Sequence, residues 1–111
     1  MKHLLILLIS ILLLSSPVIG DNHKGETLYG WGNTLPYVWK GVGDKETHPK
    51  YEGDVENGVP NGLGILISPI GGKYVGEWKK GKRHGKGIFT HVDGKVEEGI
   101  WKKGKLIKPN G

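Results

Sequence analysis

The chain has 111 residues, with 16 Lys and Arg against 11 Asp and Glu, a formal net charge of +5, 20 glycines and no cysteine. Without cysteine there are no disulfides, no thiolate metal site and no lipid-modified cysteine. A core this small rarely supplies more than about 3–5 kcal/mol, so regular repetition or self-association has to supplement it.

Residues 4–14, Leu-Leu-Ile-Leu-Leu-Ile-Ser-Ile-Leu-Leu-Leu, form an apolar run after Lys2. The run is shorter than the roughly 20 residues of a membrane-spanning helix. It reads as the core of a signal peptide over residues 1–20, with Val18 and Gly20 before a cleavage point at Asp21. The expected destination is secretion or the periplasm; the alternative is an uncleaved membrane anchor.

Residues 21–60 carry four lysines against seven acids, whereas residues 61–111 carry eleven Lys and Arg against four acids. The basic half is suited to an anionic surface, although lysine-rich turns also serve simply as solvated edges. Within residues 21–50, Tyr29-Gly30-Trp31-Gly32 reads as an aromatic cap. Tyr37-Val38-Trp39-Lys40-Gly41-Val42-Gly43 reads as the returning strand of a degenerate half-repeat next to the first full unit.

From residue 51 glycine recurs with a fixed period. Gly53, Gly76 and Gly99 are 23 residues apart, as are Gly58, Gly81 and Gly104, and the pairs Gly62/Gly85, Gly64/Gly87 and Gly71/Gly94. Such a period marks units that bury a face only against their neighbours. The units divide as residues 51–72, 73–94 and a partial third, 95–111.

Inside a unit the period is two. Tyr74, Gly76 and Trp78 share one strand face, with Val75 and Glu77 on the other. A glycine-lysine turn leads to a returning strand, Gly62-Leu-Gly-Ile-Leu-Ile or Gly85-Lys-Gly-Ile-Phe-Thr. Val92-Asp93-Gly94-Lys95 predicts a two-residue type I′ hairpin turn.

These residues resemble the MORN repeat family, whose pattern is Tyr-x-Gly-x-Trp-x-x-Gly-x-x-x-Gly-x-Gly. Residues 74–87 match every position. Residues 51–64 depart only at Val55, where Trp is usual, and residues 97–104 keep Gly99, Trp101 and Gly104 but have Glu97 for Tyr. The resemblance implies an all-β fold, an elongated single-layer antiparallel β-meander of hairpin repeats. It also implies phospholipid binding or a dimerising scaffold role, although the kinase domain that accompanies some such repeats has no counterpart here.

Catalytic chemistry finds no support in the spacing of His23, His48, His84 and His91 with Asp44 and Glu46, which matches no metal or nucleophile arrangement. No cofactor, catalytic or metal residue is expected. Two surfaces are candidates for binding. Lys79, Lys80 and Lys82 recur as Lys102, Lys103 and Lys105 and, with Arg83 and Lys86, predict a basic ridge for an anionic lipid surface. Tyr51, Tyr74, Trp78 and Trp101 predict an aromatic face for packing or for a partner. The expected function is a non-catalytic interaction or scaffold module that binds a partner protein or itself, with no nucleic acid and no small-molecule substrate.

Overall fold

The structure is a computed structural model that describes residues 25–33 and 35–110. The expected signal peptide, its cleavage point and His23 lie outside the described residues. Eight strands form β1 (Glu26–Trp31), β2 (Val38–Lys40), β3 (Lys50–Glu56), β4 (Val59–Ile67), β5 (Lys73–Lys79), β6 (Lys82–Thr90), β7 (Val96–Lys102) and β8 (Lys105–Pro109). They make one open antiparallel sheet in the order β2-β1-β3-β4-β5-β6-β7-β8. The expected hairpin meander therefore runs unbroken from β3 to β8.

A single sheet has no second layer to bury its apolar face, and this one solves the problem with aromatic rings laid on glycine. Cross-strand pairing puts Gly53, Gly64, Gly76, Gly87 and Gly99 side by side over five strands. The Tyr51 ring occupies the space that a Cβ on Gly64 would need, and Tyr74 does the same at Gly87. Both tyrosines are fully buried. Their hydroxyls donate to the carbonyls of Asp54 at 2.6 Å and Glu77 at 3.0 Å, so burial leaves no orphaned polar group there.

Tryptophan ties each unit to the one before it. The Trp78 indole N–H donates to the Gly64 carbonyl at 3.3 Å and that of Trp101 to the Gly87 carbonyl at 3.0 Å. Trp78 lies edge-on to both Tyr51 and Tyr74 with ring centres 5.2 Å apart, the arrangement favoured by aromatic quadrupoles. Leu28 completes the buried set.

Two expectations of turn and strand placement need correction. The two-residue turns with left-handed backbone are Asn57-Gly58, Lys80-Gly81 and Lys103-Gly104, where even the lysines have φ near +50°. Residues 91–95 instead form a five-residue connection closed by Gly94 N–H on the His91 carbonyl, with only Gly94 at positive φ. Asp93 spends its carboxylate on the Lys95 amide at 2.9 Å, which favours this wider turn. At the other end, Glu26–Trp31 and not Tyr37–Gly43 runs beside β3, pairing Leu28 with Tyr51. The reason is apolar matching: Leu28 buries against the Tyr51 row, while the short β2 is left outermost.

A candidate interaction groove on the aromatic face

The outermost strand does not stay remote from the repeats. The sheet coils so that Trp39 of β2 lies edge-on to Tyr51 at 6.0 Å and to Trp78 of β5 at 5.9 Å. Trp39 thus offers Tyr51 the indole contact that Val55 cannot make. Its own N–H is buried without a hydrogen-bond partner. Tyr37 packs edge-on against Trp39 at 5.6 Å and over Gly30.

Coiling leaves a groove of about 510 Å³ on the aromatic face. Half-buried Tyr37, Trp39, Leu66 and Phe89 form its open floor, above the buried Tyr74 and Trp78. Lys82, Arg83, His91, Lys103 and Lys105 also line it, and among the described residues no carboxylate does. The result is an apolar trough bordered by Lys73, Lys82, Arg83, Lys103 and Lys105, with Glu97 held beside it by His91 at 3.0 Å, and its low-dielectric floor strengthens the field of these charges.

Arg83 is built into this face. Its guanidinium lies 4.9 Å from the Trp101 ring centre, 5.3 Å from Phe89 and 5.7 Å from Tyr74. One nitrogen donates to the Gly104 carbonyl at 2.8 Å. Desolvation lowers its pKa, opposed by the Tyr74, Tyr37 and Glu97 side chains. Burial also pushes the Tyr51 phenol above the usual tyrosine range, with Asp54 adding to the effect. For Tyr74 burial again dominates, with Arg83 opposing it and Glu77 adding to it.

The lysines expected to form one ridge separate into groups. Lys82, Lys103 and Lys105 border the groove. Lys79 and Lys80 line a depression with Asp54, Glu56 and His84. Lys86 stands over the opposite face beside Ile88 and Glu98, and Lys102 is exposed. In register, Lys79 faces Lys82 and Lys102 faces Lys105 across their hairpins. Like charges placed directly opposite cost stability, and the cost recurs in both turns. Lys50 pairs with Glu52 at 3.3 Å, and His91 shares a hydrogen bond with Glu97 at 3.0 Å.

Of the expected aromatic face, Tyr51, Tyr74, Trp78 and Trp101 do come together, but Tyr51 and Tyr74 are fully covered and act in packing. The contribution of Tyr37 and Trp39 to the groove was not legible locally. Val55 in place of Trp was the one available signal that a ring had to come from elsewhere.

The profile of the MORN repeat matches residues 51–73 and 74–96. Residues 51–96 are a pair of MORN repeats. The two matched MORN repeats cover β3 to β6 and the start of β7, and β7 and β8 continue the same hydrogen-bond scheme with Trp101 and the Lys103-Gly104 turn. MORN repeats are non-catalytic modules of protein or membrane interaction. Among curated proteins no sequence matches the chain.

The possible catalytic groups are occupied in other ways. Asp44 accepts the Glu46 amide at 2.8 Å, and the Asp44 amide donates to His48 Nδ1 at 3.1 Å, so these residues shape the loop before β3. His84 and His91 border different surfaces. Among the described residues no three His, Asp or Glu side chains gather as a metal site.

Proposed function

We propose that this chain is a non-catalytic interaction module whose aromatic groove receives an acidic, partly apolar segment of a protein partner. The observation that carries this function is the pairing of an aromatic floor with a lining of four lysines and Arg83, against which the nearby carboxylate of Glu97 is already bonded to His91. Charge of one sign steers an oppositely charged segment and rejects like-charged ones. Rings supply the contact area, as aromatic and arginine side chains do at the centres of interfaces.

A test is titration of the purified chain with an acidic peptide containing aromatic residues, and with its Gln-for-Glu counterpart, at low and high salt. Tryptophan emission reports on the groove through Trp39 and Trp78. Salt-sensitive binding of the acidic peptide that is lost in Lys82→Glu/Lys103→Glu supports the groove; equal binding of both peptides counts against it.

A second function, peripheral attachment to anionic phospholipid, draws on the exposed Lys79, Lys80, Lys102 and Lys103 at the hairpin turns. Each cation near a charged membrane contributes about 1 kcal/mol. Sedimentation with phosphatidylglycerol vesicles that is lost in Lys79→Glu/Lys102→Glu, with no response to the acidic peptide, would favour it. We place the module outside the cytoplasm on the basis of the Lys2 and residue 4–14 pattern, which fractionation of tagged protein tests.

A further inference from the structure

The two ends of the groove differ in chemistry. β6 borders it from Lys82 to Phe89, and the connection that follows adds His91 and Val92. At about 3.3 Å per residue this places the ends on the order of 25 Å apart. At the end of the two-residue turns stand Lys82, Lys103 and Lys105. The carboxylate of Glu56, at the end of β3, is taken up by Asn61 at 2.8 Å and borders a different depression.

At the far end the connections after β4 and β6 bring Ile70 and Val92 to the groove, 78 % and 62 % exposed. Val92 lies within van der Waals reach of the Gly71 position, so the two tips adjoin. Charge at this end is mixed, with Lys73 at the start of β5 and Glu97 on β7, where Glu97 faces Phe89 in register and is bonded to His91 at 3.0 Å. Between the ends lies the Arg83 guanidinium, held against Phe89 and Trp101 and bonded to the Gly104 carbonyl at 2.8 Å.

We infer, on the reading of the groove proposed above, that its partner segment keeps its aliphatic and acidic residues apart, aliphatic side chains against Ile70 and Val92 and carboxylates against Lys82, Lys103 and Lys105. A carboxylate laid at the far end would lose water beside the like charge of Glu97. An aliphatic side chain laid at the turn end would cover ammonium groups that need water, whereas against Ile70 and Val92 it removes apolar surface from water on both sides. A span on the order of 25 Å takes seven or eight extended residues, so a neutral stretch crosses the open rings of Tyr37, Trp39 and Phe89. Attraction at each end and rejection of interleaved charge together make the order of residues, and not composition alone, the basis of selection.

The test titrates the unaltered chain with two peptides of one composition, two leucines, four serines and three glutamates. In the segregated peptide the leucines and glutamates occupy opposite ends; in the interleaved peptide they alternate. The segregated peptide is expected to bind at least about tenfold more tightly, the factor that burial of one leucine side chain supplies. Ile70→Ser/Val92→Ser should reduce its affinity to that of the interleaved peptide, while Lys82→Glu/Lys103→Glu weakens both. The chain lacks cysteine, so contacts can also be trapped directly. Val92→Cys should form a disulfide with a segregated peptide that carries cysteine beside its leucines, and Lys103→Cys with one that carries it beside its glutamates, the swapped pairs giving several-fold less. Equal affinity for the two peptides, or equal trapping in all four combinations, overturns the segregated order and leaves the acidic-segment reading standing. Binding of neither peptide overturns both.

Discussion

Trp101 donates its indole N–H to the carbonyl of Gly87 at 3.0 Å, reaching back 14 residues across the β6–β7 pairing. Trp78 makes the same bond to Gly64, one unit earlier. The bond fixes each tryptophan over the tyrosine of the preceding unit, so hydrogen bonding and ring packing reinforce one repeat on the next.

Replacing Trp101 by Phe keeps a ring over Tyr74 but removes this donor in a buried setting. The expected loss is about 1–3 kcal/mol. Urea denaturation should show a lower midpoint with little change in slope, because the exposed area on unfolding stays nearly the same.

Gly87→Ala tests the glycine row. A methyl at this position would enter the Tyr74 ring, which is fully buried and bonded through its hydroxyl to the Glu77 carbonyl. Overpacking of this kind costs roughly 1–3 kcal/mol. Adding Tyr74→Phe, which removes the hydroxyl nearest the new methyl, should recover part of the loss, and thermal unfolding of the four-member cycle measures the coupling.

Lys80 has φ of 49° ahead of Gly81, whereas the first unit uses Asn57 at the same place. Lysine is strained in this conformation and asparagine tolerates it. Lys80→Asn should therefore stabilise the fold by about 0.5–1 kcal/mol, through both the turn and the removal of a cation from a lysine-rich corner. A rise in thermal midpoint that survives high salt would assign the gain to the backbone.

Raised phenol pKa values make the fold sensitive to alkali. Tyr51 and Tyr74 hold their protons more tightly when folded than at their ordinary value of 10.0. Folding thus derives full benefit from them below pH 10, and the benefit falls as pH rises beyond that, because the unfolded chain ionises first. Absorbance near 295 nm should show a tyrosine fraction that ionises only together with cooperative unfolding above pH 10. Tyr74→Phe should shrink that fraction.

The period of 23, the aromatic and glycine positions and their alternation were sufficient in the sequence to establish two repeats and their strands. That legibility has a physical basis: each unit closes through near-neighbour contacts, Tyr74 on Gly87 or Trp78 on Gly64, that recur at constant separation. Binary alternation also placed Tyr74 and Trp78 on one face.

Tertiary structure alone decided the N-terminal arrangement, the type of each turn and the form of the candidate groove. Trp39 meets Trp78 only because the sheet coils, and β1 takes the place beside β3 because Leu28 matches the buried Tyr51 row. Lys80 carries positive φ because the twist of a two-residue hairpin demands it, against the preference of its side chain. Arg83, one cation among many in the sequence, becomes an integral part of the aromatic face because three rings and the Gly104 carbonyl surround it. Repeat spacing records contacts within and between successive units, whereas coiling and ring coverage sum over the whole sheet and leave no mark at any one spacing.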